Sequence, residues 1–247
     1  MKLGLIGGSG LDDPQLISNC KELTVKTIHG EPSSTITNGL IGNVEVFILA
    51  RHGKQHQYSP TQVNNKANIQ ALKDLGCTHI IATTAVGSLR EEIMRGDFVI
   101  ISDFIDLTRR RDNTFFNDFS QGANHTPMTN PFNKELRQKA IQSCKETGLR
   151  CHDKGVVITI EGPRFSTRAE SNLFRQWGAD VINMSIAPEA ILAQEAGINY
   201  CAIAMSTDYD CWKNDEEPVN WDSILKIFND NASKMKKLLL TIIKSLN

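Results

Sequence analysis

The sequence predicts a single α/β domain, and three observations carry that reading. Short apolar runs, each ending abruptly in glycine or polar residues, alternate along the chain with segments of helical periodicity, the pattern of strands covered by helices. Some of the runs, Cys201 to Met205 above all, are apolar without alternation, as strands buried on both faces are. The 247 residues suffice for a sizeable core, and no Pro/Ser/Gly-rich linker divides them.

Charge and cysteine usage narrow the function classes. With 27 basic against 28 acidic residues, the chain has no electrostatic footprint for nucleic acid or an anionic membrane, so any bound phosphate must be held by a few local groups. The six cysteines, Cys20, Cys77, Cys144, Cys151, Cys201 and Cys211, form neither a CxxC pair nor a Cys/His ligand spacing. They read as reduced and structural, which predicts a cytoplasmic protein with no metal site. The first residues enter a strand directly, without the charged and apolar regions of a signal peptide. No apolar run reaches the ~18 residues of a membrane-spanning helix.

The first strand is Lys2 to Ile6, and Gly7-Gly8-Ser9-Gly10 follows it at once. Glycine lets the backbone approach a ligand and turn its N–H groups toward an oxyanion, and Ser9 adds a hydroxyl; a plain tight turn has the same composition. A dinucleotide fingerprint fails because Asp13 stands where its third glycine belongs, and no Gly-Lys-Ser/Thr completes a Walker loop. Residues 22 to 50 alternate apolar and polar around Gly30-Glu31-Pro32, Asn38-Gly39 and Gly42-Asn43, which predicts antiparallel hairpins closing in the strand Val44 to Ala50. At its end, Arg51 offers a fork suited to phosphate and His52 a second donor or a charge, although a strand-end arginine more often makes a surface salt bridge. The spacing then predicts a helix from about Pro60 to Leu75, closed by Gly76, and a central strand Thr78 to Thr83 with Thr84-Ala85-Val86-Gly87-Ser88 as its tip. Three strand ends thus carry oxyanion chemistry: Ser9, Arg51 with His52, and Thr84. They form one phosphate site if the strands are neighbours.

In the second half, Gly96 to Ile105 reads as one strand, and the polar, Phe-containing stretch Arg109 to Asn124 as an excursion covering a site or a subunit contact. A helix from Asn133 to Thr147 stops at Gly148, and a strand from Lys154 to Ile160 leads into Glu161-Gly162-Pro163-Arg164-Phe165-Ser166. After a helix ending near Trp177, Val181 to Ser185 is a strand end with a hydroxyl, and Pro188 opens the next helix. The Cys201 run ends in Asp208 and Asp210, which on extended backbone point the same way while Tyr209 points opposite. Two crowded carboxyls repel, which raises at least one pKa and makes a candidate proton donor; the same residues also serve as caps of a turn. An amphipathic helix from Asp222 to about Leu246 completes the pattern.

Taken together, Gly7-Gly8-Ser9-Gly10-Leu11, Ala50 to Gly53, Val63-Asn64, Ala67-Asn68, Thr84-Ala85, Glu161 to Ser166, Asn183-Met184-Ser185 and Ser206 to Asp210 resemble the trimeric purine nucleoside phosphorylase family, from Leu3 to about Leu240. The resemblance implies one domain over 1–247 with a mixed, twisted central β-sheet flanked by helices, working as a homotrimer or a pair of trimers. It implies phosphorolysis of S-methyl-5′-thioadenosine to adenine and 5-methylthio-α-D-ribose 1-phosphate in purine and methionine salvage. Inorganic phosphate is then a co-substrate, with no other cofactor and no metal. Carried over, Ser9, Arg51, His52, Thr84, Ala85 and Ser185 bind phosphate, and Met184 lies under the ribose. Phe165, Ser166, Asp208 and Asp210 line the base pocket, the two aspartates as the catalytic pair, and His125 reaches the 5′ group held by a neighbouring subunit. Asn65 departs from the aromatic residue that follows Val-Asn in the family.

Paired acids favour a 6-aminopurine, since an amino donor wants an acceptor. The alternative is broader or 6-oxopurine specificity (methylthioinosine, inosine, guanosine), and relatives that cleave inosine and guanosine carry Asn and Glu where this chain has Asp208 and Ser166. A non-catalytic nucleoside-binding protein needs the same cradle but no acid at the base. If Arg51 serves phosphate alone, Arg51→Ala should weaken phosphate use while stability changes by no more than about 1 kcal/mol.

Overall fold

In the computed structural model, which describes residues 1–7, 17–120, 122–215 and 220–246 without the side chain of Ser223, the chain begins with β1 (Lys2–Gly7), β2 (Ser18–Leu23), β3 (Ile36–Ile41), β4 (Val44–Ala50), α1 (Asn65–Asp74) and β5 (His79–Ser88). It continues with β6 (Phe98–Ile100), β7 (Asp103–Leu107), α2 (Lys134–Thr147), β8 (Cys151–His152), β9 (Val156–Ile160) and α3 (Arg168–Gln176). The last elements are β10 (Val181–Asn183), α4 (Ile186–Glu195), β11 (Asn199–Asp208) and α5 (Trp221–Lys244).

These strands form one mixed sheet in the order β2-β3-β4-β1-β5-β10-β9-β7, with β11, β6 and β8 joined through β5. β4, β1, β5 and β11 are parallel, while β2, β3, β6 and β10 each pair antiparallel with a neighbour. The expected α/β fold with a mixed central sheet is therefore the observed one. Helices cover both faces of β11. Cys201, Ile203 and Met205 pack into a core with Leu136 and Ala140 of α2 and Leu238, Leu239 and Ile242 of α5. Tyr200, Ala202 and Ala204 turn to the opposite core with Ile69 and Leu72 of α1 and Ala190 and Ala193 of α4. Alternation along one strand thus fills two layers, and this is why its sequence carries no polar face.

Several boundaries differ from expectation. The helix expected from Pro60 starts at Asn65, whose N-cap Asn64 accepts from the Ala67 N–H at 3.0 Å, while Pro60–Gln62 forms a separate 3-10 turn. The run Gly96 to Ile105 is two strands rather than one. At the break, the Ile101 N–H goes to the Ala202 carbonyl and the Ser102 N–H to the Gly155 carbonyl, so adjacent residues belong to different neighbours. α4 begins at Ile186, which makes Ser185 its N-cap residue rather than the end of a strand. Most important, β5 does not stop at Thr83; it runs unbroken to Ser88 because β11 pairs with it from His79 to Gly87.

The excursion after β7 is tied down by carboxylates of other elements. Glu161 accepts from the Arg109 and Arg110 N–H groups at 2.6 and 3.0 Å, from Thr61 Oγ1 at 2.8 Å and from Arg111 Nε at 3.0 Å. Glu195 takes Thr114 Oγ1 and the Phe115 N–H, and Lys66 of α1 pairs with Asp112 at 2.9 Å. Burial raises the Glu161 carboxyl, but these donors outweigh it and bring the group down to about 2. The depressed folded value means that the anchor's stabilisation is complete above the ordinary 4.5 and is lost as pH falls toward 2. Glu161→Gln is therefore expected to lose part of the acid dependence of unfolding in that window and to expose the Arg109–Arg111 stretch to trypsin at neutral pH; unchanged cleavage would move the anchor elsewhere.

Candidate active site

A cavity of about 590 Å³ opens where β4, β5, β10 and β11 end. Arg51, His52, Thr84, Ala85, Phe165, Ser166, Met184, Ser185, Asp208 and Asp210 all line it. Of the other residues expected at the site, Ser9 lies outside the described residues. His125 is exposed, edge-on to the Phe119 ring at 5.3 Å, and does not line the cavity of its own chain.

The polar end of the cavity comes from a change of partner along β5. On one edge, β1 pairs with His79 to Ala82 and β10 with Gly87 and Ser88, and the residues between, Thr83 to Val86, lie along the cavity. That interval carries Thr84 and Ala85. Thr84 Oγ1 stands 3.3 Å from Ser185 Oγ, and Asn183 Nδ2 donates to Thr84 Oγ1 at 3.3 Å. Ser185 makes no side-chain cap to its helix, so its hydroxyl is available to the cavity. β1, β4 and β5 are adjacent and parallel, which meets the condition for their ends to share one site, and the Arg51 N–H donates to the Gly7 carbonyl at 3.1 Å.

Arg51 departs from the expectation of a residue outside the core. It is buried, and its Nε and Nη2 grip the two oxygens of Glu189 in α4, a residue with no solvent exposure. Nη1 donates to the Thr83 carbonyl at 2.9 Å, and Tyr200 Oη donates to the same Glu189 at 2.7 Å. Three of the five guanidinium N–H groups serve these bonds, which leaves two for an anion. His52 is held with Nδ1 2.9 Å from the Tyr58 carbonyl. Burial, then the Arg51 charge, pull it down to about 4, so at neutral pH it is uncharged rather than a cation.

At the other end stand the two acids. β11 ends at Asp208, and Asp210 reaches the cavity through a left-handed backbone, φ 46°, rather than by extended alternation. Tyr209 between them turns away into a core with Leu89, Phe174 and Trp212, as the alternation predicts, and Trp212 Nε1 anchors the turn on the Ser88 carbonyl at 2.8 Å. Gly87 makes room for the pair: a Cβ there would lie 2.9 Å from Asp208 Oδ1 and 3.0 Å from Ile182. Burial raises both carboxyls above the ordinary range; the charge of Asp208 adds to the rise at Asp210, so the expected repulsion is real but second to burial. Asp208 Oδ1 accepts from the Asp210 N–H and Oδ2 lies 2.8 Å from Thr207 Oγ1, which is itself 3.2 Å from the Val86 carbonyl. The Thr207 hydroxyl and the Asp210 N–H both favour the ionised form of Asp208, but burial outweighs them.

The remaining wall is apolar and was not anticipated. Trp221, Ile224, Leu225 and Phe228, one stripe of α5, line the cavity beside His56 and Tyr58. The signal was present as an i, i+3, i+4, i+7 pattern at the start of the last helix, which sequence alone reads as core. What marks it as different is the exposure of Trp221 and Leu225, 48% and 36%.

Residues 2–244 match the family model of the phosphorylase superfamily. The S-methyl-5′-thioadenosine phosphorylase of Xenopus tropicalis is 54% identical, over 98% of this chain and 88% of the relative. That of Danio rerio is 52% identical with the same coverage. The solved structure of methylthioadenosine phosphorylase from Schistosoma mansoni in complex with adenine aligns with a TM-score of 0.93 at 41% identity, covering 100% of this chain and 92% of that one. Its complex with tubercidin aligns with a TM-score of 0.92 at 40% identity and the same coverage.

The Arg51–Glu189 pair sets a stability expectation opposite to that of a surface arginine. Arg51→Ala strands a fully buried carboxylate and is expected to destabilise the fold by about 3–5 kcal/mol in urea unfolding. The double variant Arg51→Met with Glu189→Leu should recover most of that loss, since it removes both charges. A single variant within about 1 kcal/mol of the parent would return Arg51 to the role of a ligand contact only.

Proposed function

The chain belongs to the phosphorylase superfamily, and from that premise we propose that it cleaves S-methyl-5′-thioadenosine with inorganic phosphate, giving adenine and 5-methylthio-α-D-ribose 1-phosphate. One observation carries this reading: a single cavity has an arginine and two hydroxyls at one end and, at the other, two carboxyls that burial raises above the ordinary range. The cavity volume suits a nucleoside with a small anion. The names of these relatives support the same substrate, and Asp208 and Ser166, in place of Asn and Glu, disfavour a 6-oxopurine.

In this reading phosphate sits against Arg51, Thr84, Ser185 and the Ala85 backbone, with Ser9 and His52 completing its shell. Held there, one oxygen faces C1′ and stabilises the cationic ribosyl centre before bonding to it, which is catalysis by position and electrostatics. Asp208, protonated, donates to purine N7 as the base departs, and Asp210, ionised, accepts from the 6-amino group; the two titrate as one unit. Met184 supports the ribose, and Phe165 and Ser166 flank the base. The apolar stripe of α5 takes the 5′-methylthio group, where a hydroxyl would lose its water without gaining a partner. His125 completes that pocket from a neighbouring subunit of a homotrimer, which its exposure in the single chain supports. The reaction belongs to purine and methionine salvage in the cytoplasm, a setting that the six free cysteines support.

Adenine release from S-methyl-5′-thioadenosine, followed with and without phosphate, tests the whole reading; release that ignores phosphate would overturn it. Asp208→Asn should shift the ratio of 6-amino to 6-oxopurine turnover toward the latter by about tenfold to a hundredfold, the worth of one polar match in a buried pocket. An unchanged ratio in a folded variant would remove this aspartate from the base. Mixing Asp208→Asn subunits, impaired on S-methyl-5′-thioadenosine, with His125→Ala subunits should regenerate intact sites once subunits exchange. Activity no higher than that of the separate variants would place His125 outside its neighbour's site.

A further inference from the structure

We propose that His52 meets phosphate as a hydrogen-bond acceptor, taking the O–H of a protonated phosphate on a bare Nε2, and that it thereby selects for oxyanions that carry a proton. The proposal rests on the reading of the cavity's polar end as a phosphate site. Its first support is the tautomer. Nδ1 lies 2.9 Å from the Tyr58 carbonyl, and a carbonyl only accepts, so Nδ1 holds the ring's hydrogen. A neutral imidazole with hydrogen on Nδ1 has a lone pair and nothing else on Nε2.

The surroundings keep the ring neutral. Arg51 precedes it, Arg111 approaches from the excursion after β7, and the ring of His56 stacks on it with centroids 4.7 Å apart and planes at 27°. Trp221 of α5 packs on His56 in turn, at 5.4 Å. Every titratable neighbour of His52 named here is cationic or becomes so on protonation, and with burial they bring it down to about 4. Two carboxylates pair with these arginines and are committed, Glu189 to Arg51 and Tyr200 and Glu161 to Arg111 and the N–H groups of Arg109 and Arg110. A ring flip would break the bond to Tyr58 and leave that carbonyl without this donor.

The chemistry follows from the pairing. Among the described residues, the polar end holds one cation, Arg51, already matched by Glu189, together with neutral hydroxyls and a neutral imidazole. An anion without hydrogen sets lone pair against lone pair at Nε2. A hydrogen phosphate places its P–O–H there and keeps its unprotonated oxygens for Arg51, Thr84, Ser185 and C1′. No proton needs to transfer; the hydrogen bond only fixes which oxygen stays protonated while another attacks.

Sulfate and arsenate separate this from simple anion binding, because both are tetrahedral oxyanions of similar size, yet only arsenate retains an O–H in the neutral range. In the unmodified protein at constant ionic strength, arsenate should replace phosphate at comparable concentration. Sulfate should compete with phosphate about tenfold to a hundredfold more weakly, the worth of a hydrogen bond exchanged for an unmet acceptor. His52→Gln, whose amide can turn an N–H toward the anion, should narrow that gap. Nitrogen-15 NMR of the phosphate complex should show His52 neutral with its hydrogen on Nδ1. Sulfate binding as tight as phosphate in the unmodified protein, or a hydrogen on Nε2 in the phosphate complex, overturns the proposal even if the glutamine variant fails to fold. Turnover that ignores phosphate would overturn the phosphate reading itself, whereas phosphate-dependent turnover with equal sulfate affinity would overturn only the role given to His52.

Discussion

The organisation of the molecule depends on how one strand shares its edges. β5 keeps β11 along one edge from His79 to Gly87, while on the other edge β1 gives way to β10. The interval between those partners lines the cavity. Ligands in open α/β sheets collect where strand partners diverge, because backbone groups there are not consumed by the ladder. Here the same strand also carries Gly87 opposite Asp208, so the hydroxyl end and the acid end of the cavity are fixed to one rigid element. Their spacing is a property of the sheet, not of loops.

A second constraint couples that strand to the helices. Glu189 of α4 reaches Arg51 beyond β4 and Tyr200 of β11, and Arg51 reaches the Thr83 carbonyl of β5. A buried pair of this kind adds little net stability over apolar side chains of the same volume, yet removing either half is severe. Its use here is geometric. A guanidinium gripped on two sides presents its remaining N–H groups in a fixed direction. The cost is that the cationic charge is matched in advance, which leaves recognition to hydrogen-bond complementarity more than to net attraction.

The motifs at Arg51–His52 and Asp208 were legible because each combines an apolar run with an abrupt polar tip, whereas Thr84 proves to lie inside β5 and Ser9 lies outside the described residues. Ten of the expected site residues accordingly line one cavity. What the sequence hid were features decided between distant segments. The burial of Arg51 depends on Glu189, 138 positions away. The division of Gly96 to Ile105 depends on Ala202 and Gly155 competing for adjacent N–H groups. The apolar stripe of α5 has the same periodicity as the core stripe further along that helix, and periodicity cannot tell a wall from a core. Asp208 and Asp210 were expected to align through extended backbone, but the chain turns left-handed at Asp210 and reaches the same side by another path.

The two aspartates of the cavity and the glutamate that anchors the excursion respond oppositely to pH, because burial dominates at Asp208 and Asp210 and hydrogen-bond donors dominate at Glu161. Asp208 and Asp210 hold their protons more tightly in the fold than in the unfolded chain, so their contribution is complete below the ordinary aspartate range and declines as pH rises through the folded values. Glu161 does the reverse, contributing above the ordinary glutamate range and losing that contribution in acid. The two aspartates are thus a destabilising feature above the ordinary aspartate range, and Tyr209 and Trp212 offset it by packing the turn after β11 against Phe174 of α3. The anchor at Glu161 gives back stability in the range where the acids withdraw it. A carboxyl buried in this way therefore requires its support to come from packing and from other carboxylates, because ionising it inside the fold costs stability.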